Sequence, residues 1–276
     1  MKKRHWKKWP KRFKGELDGT ASVIGVVGLG TAIAGSIFAG PVALVAGALA
    51  LVGTVSFACI RSYPPLAIDT ATVVGQSLNP ILLEQLVPIP KKIAIVGSSK
   101  SGKSTLLARL RVKRAPTERT QEITATIISL GSQPIRYVAV LDGSGETYTQ
   151  QFRIAENGDI IILMFDHNGS DSSKRVLEKR LVEHTAFSRQ LREHLTQTGR
   201  REKSLIHILA NKMDLWSQSA KTRQSKLTKI CEDELGHWKT AGLAKKTSTG
   251  NHSNNEPDSA SVMMDLLRNS VTVSSD

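Results

Sequence analysis

The 276 residues carry 38 Lys+Arg against 24 Asp+Glu, a formal net charge of +14 in a chain whose charged fraction, 22%, is ordinary. That length admits one large or two small domains. Cys59 and Cys231 stand in unlike contexts and suggest no disulfide framework, and the seven histidines show no metal-ligand spacing with them, which argues against zinc.

The basic excess is local. Eight Lys and Arg fall in the first fourteen positions with no acid among them, interleaved with Trp6, Trp9 and Phe13. Such a head, residues 1–18, reads either as a nucleic-acid patch or as an interfacial membrane anchor. The next stretch favours the anchor, because Gly19 to Ile60 is 42 residues without one charge. As helix it would run roughly 63 Å, twice the approximately 30 Å of a bilayer core. It divides at Gly40-Pro41, a turn signal, into arms Ala21–Ala39 and Val42–Ile60. Gly28, Ala32, Ser36 and Gly40 recur every fourth position in one arm, and Ala46, Ala50, Thr54 and Ala58 in the other. Such small-residue stripes let two helices approach closely.

The expectation for 19–60 is therefore a transmembrane helical hairpin. A signal peptide has a much shorter apolar region, a soluble core pair would show polar faces, and a hairpin entering one leaflet remains as an alternative. The positive-inside rule keeps the head cytoplasmic, and two crossings return the chain to that side. Residues 61–90 hold five prolines and read as a linker or partly packed lead-in.

From Lys91 to the end, strand-like runs at 92–96, 123–130, 135–141, 159–165 and 204–210 alternate mostly with helical patterns, notably 174–195 and about 220–234. The alternation predicts an α/β domain over 91–276 with a mainly parallel sheet and a ligand at the strands' carboxyl ends. The first strand opens into Gly97-Ser98-Ser99-Lys100-Ser101-Gly102-Lys103-Ser104-Thr105, a match to G-x-x-x-x-G-K-[ST] between a strand and a helix. There backbone N–H groups and the helix N-terminus favour phosphate. Lys103 would hold the β- and γ-phosphates and Ser104 would ligate Mg²⁺, while Lys100 either reaches a phosphate or, as is favoured, points to solvent. A second signal is the strand Val138–Leu141 ending in Asp142-Gly143-Ser144-Gly145-Glu146, which puts a carboxylate near that loop for Mg²⁺ and a Gly145 N–H near the γ-phosphate. The third is Asn211-Lys212-Met213-Asp214 behind an apolar strand. Asp214 can accept from the ring N1–H and exocyclic amine of guanine, a donor pair adenine lacks; Asn211 can bridge base and phosphate loop, and the Lys212 stem can lie along the base.

With its phosphate, magnesium and guanine motifs in this order, the chain resembles small GTPases of the Ras/Arf type over about residues 91–270. The resemblance implies GTP/GDP binding with Mg²⁺, slow hydrolysis of GTP, and a switch that recruits a protein partner. It also implies a threonine that ligates Mg²⁺ only with GTP bound; Thr117, Thr120 and Thr124 compete, and Thr120 is favoured because a strand begins just after it. Ser248, in Thr247-Ser248-Thr249, best matches the last base-contacting segment, with a weakly apolar strand expected before it at 242–246 and a short helix near 259–269. The catalytic set implied is Lys103, Gly145, Glu146 and Thr120. Glu146 departs from the family's glutamine, so a module that holds nucleotide with little hydrolysis is one alternative. A membrane-remodelling GTPase is another, although no long stalk pattern is present. No nucleic-acid partner is expected.

Overall fold

The computed structural model describes residues 66–110, 123–131, 133–143, 147–199 and 202–272, with Lys14 and Ser56 as isolated helical positions. The basic head and the expected membrane hairpin lie otherwise outside the described residues, as do Thr117, Thr120, Gly145 and Glu146. Among the described residues, no helix is long and apolar enough to cross a membrane.

Seven strands form one sheet: β1 (Ser77–Leu78), β2 (Lys91–Val96), β3 (Thr124–Ser129), β4 (Tyr137–Asp142), β5 (Ile160–Phe165), β6 (Leu205–Ala210) and β7 (Thr247–Asn251). Their spatial order is 1-3-4-2-5-6-7. The five strands from β4 to β7 in that order run parallel, while β3 is antiparallel to β4 and β1 antiparallel to β3. Every residue of β5 and β6 is buried, which is why these strands read as unbroken apolar runs: helices cover both faces of a parallel sheet.

Side chains alternate between the two faces. Ile93, Ile95, Val138, Val140, Ile160, Ile162 and Met164 join Leu106, Leu107 and Leu110 of α1 (Lys103–Leu110) and Met263, Leu267 and Val271 of α6 (Pro257–Thr272) in one core. The other face is covered by α2 (Tyr148–Asn157), α3 (Glu178–Gln197) and α5 (Lys221–Thr240). On that side Phe187 of α3 meets the rings of Tyr148 and Phe152 at 5.0 and 5.8 Å between centroids. Buried Trp238 of α5 donates from Nε1 to Ser188 Oγ at 3.0 Å.

Of the two readings of 61–90, residues 69–90 follow the packed lead-in: Leu83 and Leu86 are buried, and the Gly75 N–H donates to Ile127 O at 2.8 Å as β1 pairs with β3. At the other edge the last strand is Thr247–Asn251, not 242–246. Helix α5 continues to Thr240, and Gly242, at φ +64°, turns the chain out of it. The strand itself is only partly buried, so it lacks an apolar signature and is carried by β-branched threonines. The final helix accordingly spans Pro257–Thr272.

Candidate functional site: a phosphate loop with a base-side wall

The carboxyl ends of the parallel strands share one rim, and five loops meet there: 97–102 after β2, the turn after Asp142, the segment after β5, the short α4 (Met213–Trp216) region after β6, and 252–256 after β7. The first loop depends on glycine at both ends. At Gly97 φ is +151°, and a Cβ would overlap the Met164 carbonyl oxygen; at Gly102 φ is +97°, and a Cβ would overlap the Asn211 amide.

Lys103 is 6% exposed and folds back to donate from Nζ to Gly97 O at 2.8 Å and Ser98 O at 3.0 Å. Burial lowers its pKa to about 8 against the supporting charge of Asp142, so an anion in the loop would restore a full positive charge. Ser104 Oγ donates to Asp142 Oδ2 at 3.4 Å, and Asp142 Oδ1 accepts from the Gly143 N–H at 2.9 Å. Thr124, the one described member of the three competing threonines, faces Asp142 across the β3–β4 ladder. Gln151, fully buried on α2, links the loops: the Gly97 N–H donates to its Oε1 at 3.1 Å, and its Nε2 donates to Gly143 O at 3.2 Å. No sequence motif marks Gln151.

On the base side, buried Asn211 donates from Nδ2 to Ser101 O at 2.8 Å, and Lys212 from Nζ to Lys100 O at 2.9 Å. Asp214 Oδ1 accepts from Ser253 Oγ at 2.8 Å and Oδ2 from Asn255 Nδ2 at 2.7 Å, while Asn254 Nδ2 reaches Gly102 O at 3.2 Å. Lys100 is exposed, with φ +61°.

The structure thus brings Lys103, Ser104, Asp142, Asn211, Lys212 and Asp214 to one rim. Ser248 is not among them: it lies within β7, its Oγ 2.8 Å from His207 Nδ1. The later position of β7 moves the loop that meets Asp214 to Ser253, Asn254 and Asn255.

The residues fit a magnesium-bound nucleotide. A hydroxyl and a carboxylate stand together beside a buried lysine, and Ser101 Oγ and Asn211 Oδ1 are buried polar atoms without a partner among the described residues.

Fold and rim together have the arrangement of a nucleotide-binding phosphate-loop domain. Residues 92–212 match the family model described as 50S ribosome-binding GTPase. No curated protein matches the chain. Among solved structures it is similar to Methanosarcina barkeri Roco2 RocCORdC bound to GDP, at 16% identity and TM-score 0.40, over 65% of this chain and 48% of that one. It is also similar to a variant of SsGBP, at 17% identity and TM-score 0.45, over 70% and 58%. The chain therefore spans about half the length of these structures.

His207 gives the domain a pH-dependent stability. Burial, with nearby His252 adding to it, holds its pKa near 4 rather than 6.5. Between those values the unfolded chain binds a proton that the folded one does not. Stability is therefore complete above pH 6.5 and falls as pH drops through the window, by about 2–3 kcal/mol near pH 4.5. His207→Gln should flatten that part of the curve in urea unfolding at pH 7 and 4.5; an unchanged slope would assign it to other groups.

Proposed function

We propose that this chain is a membrane-anchored GTPase switch, held on the cytoplasmic face by residues 1–60, that hydrolyses GTP slowly and recruits a protein partner in its GTP state. The observation that carries the guanine-nucleotide site is the clasp between base wall and phosphate loop. Asn211 and Lys212 each donate to a loop carbonyl, and Ser253 and Asn255 orient the Asp214 carboxylate. Asp214 then reads the N1–H and amine of guanine, with the 253–255 loop closing the wall in place of Ser248. Lys103 and the loop N–H groups of 98–105 hold the phosphates, and Lys103 balances the charge that grows on them as the β–γ bond opens. Ser104 and Asp142, with Thr120 as the resemblance implies, would hold Mg²⁺, which would supply charge neutralisation at the phosphates. By resemblance Gly145 would sense the γ-phosphate, and Glu146 takes the place in sequence of the glutamine that orients water; its negative charge is the reason to expect slow turnover.

The anchoring rests on the charge-free run 19–60 beside a basic head. Reconstitution of the full chain into anionic vesicles tests both parts. Flotation that survives high salt and alkaline carbonate is expected, with slow GTP turnover, preference for GTP over ATP, and loss of nucleotide binding in Lys103→Ala. Release by salt alone would reduce the anchor to surface attachment, and equal binding of ATP would overturn the base assignment.

A further inference from the structure

Behind the phosphate loop, on the side away from α1, lies a cluster that no motif announces. Asp166 follows β5 directly and is fully buried. Its carboxylate gathers three cationic or donor side chains: Arg180 Nε at 2.7 Å, His184 Nε2 at 2.9 Å and Lys212 Nζ at 3.2 Å. Burial pushes the Asp166 carboxyl up, but the His184 hydrogen bond and the Arg180 and Lys212 charges outweigh it and hold it well below the usual carboxylate range.

Each of the three partners also touches the loop, and each takes a different, consecutive residue. His184 Nδ1 lies 3.4 Å from Ser98 Oγ, Arg180 Nη2 donates to Ser99 O at 2.6 Å, and Lys212 Nζ donates to Lys100 O at 2.9 Å. His184 is fully buried and stacks on Phe165 at 4.8 Å. Burial lowers its pKa against the opposing pull of the Asp166 carboxylate. Its Nε2 meets both the Asp166 carboxylate, at 2.9 Å, and the Asp166 N–H, at 3.0 Å, while Nδ1 faces the Ser98 hydroxyl. Arg180 is 9% exposed and uses its whole fork: Nε on Asp166, Nη1 on Glu183 at 2.9 Å and Nη2 on the loop.

We infer that Asp166, Arg180 and His184 form a positioning brace that holds residues 98–100 in their phosphate-receiving shape before nucleotide arrives, an inference that rests on the nucleotide-site reading of this loop. Such a loop needs one. It is built from Gly and Ser, which lose much conformational freedom on ordering, and it holds Lys100 at φ +61°, unfavourable for a side chain with a Cβ. Its N–H groups converge, so without an anion their dipoles repel. A trans peptide directs its C=O and the following N–H to opposite sides. Arg180, by fixing the Ser99 carbonyl on the outer side, aims the Lys100 N–H the other way. The Asp166 carboxylate keeps Arg180 and His184 in position, so the three act as a unit.

Arg180→Lys is the informative variant, because one ammonium keeps the charge opposite Asp166 but lacks the fork that spans to Ser99 O. In the full chain, release of a fluorescent GDP analogue with Mg²⁺ is measured by stopped flow. Amide exchange of the peptide spanning 97–105 is followed without nucleotide, beside the melting temperature. Both Arg180→Lys and Arg180→Gln should release the analogue about tenfold faster and exchange the loop amides faster, with Arg180→Lys keeping its melting temperature near wild type. Wild-type release from Arg180→Lys would reduce the contact to an ordinary ion pair and overturn the brace. So would faster release with unchanged loop exchange, or a lower melting temperature with both unchanged. If the wild type failed to bind the GDP analogue, the nucleotide-site reading would fall, while the exchange data would still report on whether Arg180 orders the loop.

Discussion

Asp214→Asn should weaken GDP binding by about 100- to 10,000-fold and transfer the preference to xanthine nucleotides. Guanine offers two adjacent donors to a carboxylate, each charge-assisted bond being worth about 1.5–3 kcal/mol. An amide presents one acceptor and one donor, so it loses one of those bonds and faces donor to donor at the other. Xanthine carries a carbonyl where guanine has its amine, and that pattern suits the amide. The scaffold should tolerate the change, since an amide that keeps its oxygen toward Asn255 Nδ2 turns its NH₂ to the Ser253 hydroxyl, which can accept. Competition of GDP, XDP and ADP against a fluorescent nucleotide decides it. Unchanged GDP affinity would mean that Asp214 does not face the base.

Gly97→Ala should cost roughly 3 kcal/mol or more of stability, about 6–12 °C in melting temperature for a domain of this size, and remove measurable GDP binding. The added methyl meets backbone, not a side chain that can swing away: the Met164 carbonyl stands in its place, at a φ of +151° that alanine rarely adopts. Met164 belongs to β5, so relief requires separating β2 from β5 at the point where Val96 pairs with Leu163. Gly97 also donates to Gln151, so the shift reaches the Asp142 turn. Calorimetry and nucleotide binding would show both losses; a melting temperature within 2 °C would mean the loop has another conformation open to it.

Much of the α/β framework is legible in the chain because its signals are local. Gly97 to Thr105 is nine contiguous residues, and β5 and β6 are apolar end to end because both faces are covered. What stays hidden is built across distance. Asp166, Arg180 and His184 are ordinary residues in sequence, 14 and 18 positions apart from the first, and only the meeting of β5 with α3 makes them a unit. Gln151 is silent for the same reason. The last strand misleads differently: on a half-exposed edge, Thr-Ser-Thr-Gly-Asn has no apolar run to detect, so the expected base contact falls on Ser248 although Ser253 meets Asp214.

The short edge strand β1 gives the domain a mechanical character. From Asp69 the chain passes through a 3-10 turn, Thr70–Val73, and into that strand at Ser77. Tension arriving along the chain meets the Thr70 hydroxyl on Pro88 O, 2.6 Å, then the Gly75 N–H on Ile127 O, 2.8 Å, then the pairing of Ser77 with Thr126. Two of these contacts end on β3, the strand that follows the segment containing Thr117 and Thr120 in sequence. Force arriving from before Asp69 would thereby reach the strand that leads out of the segment holding Thr117 and Thr120, so that pulling on the N-terminal side would be felt at the nucleotide site.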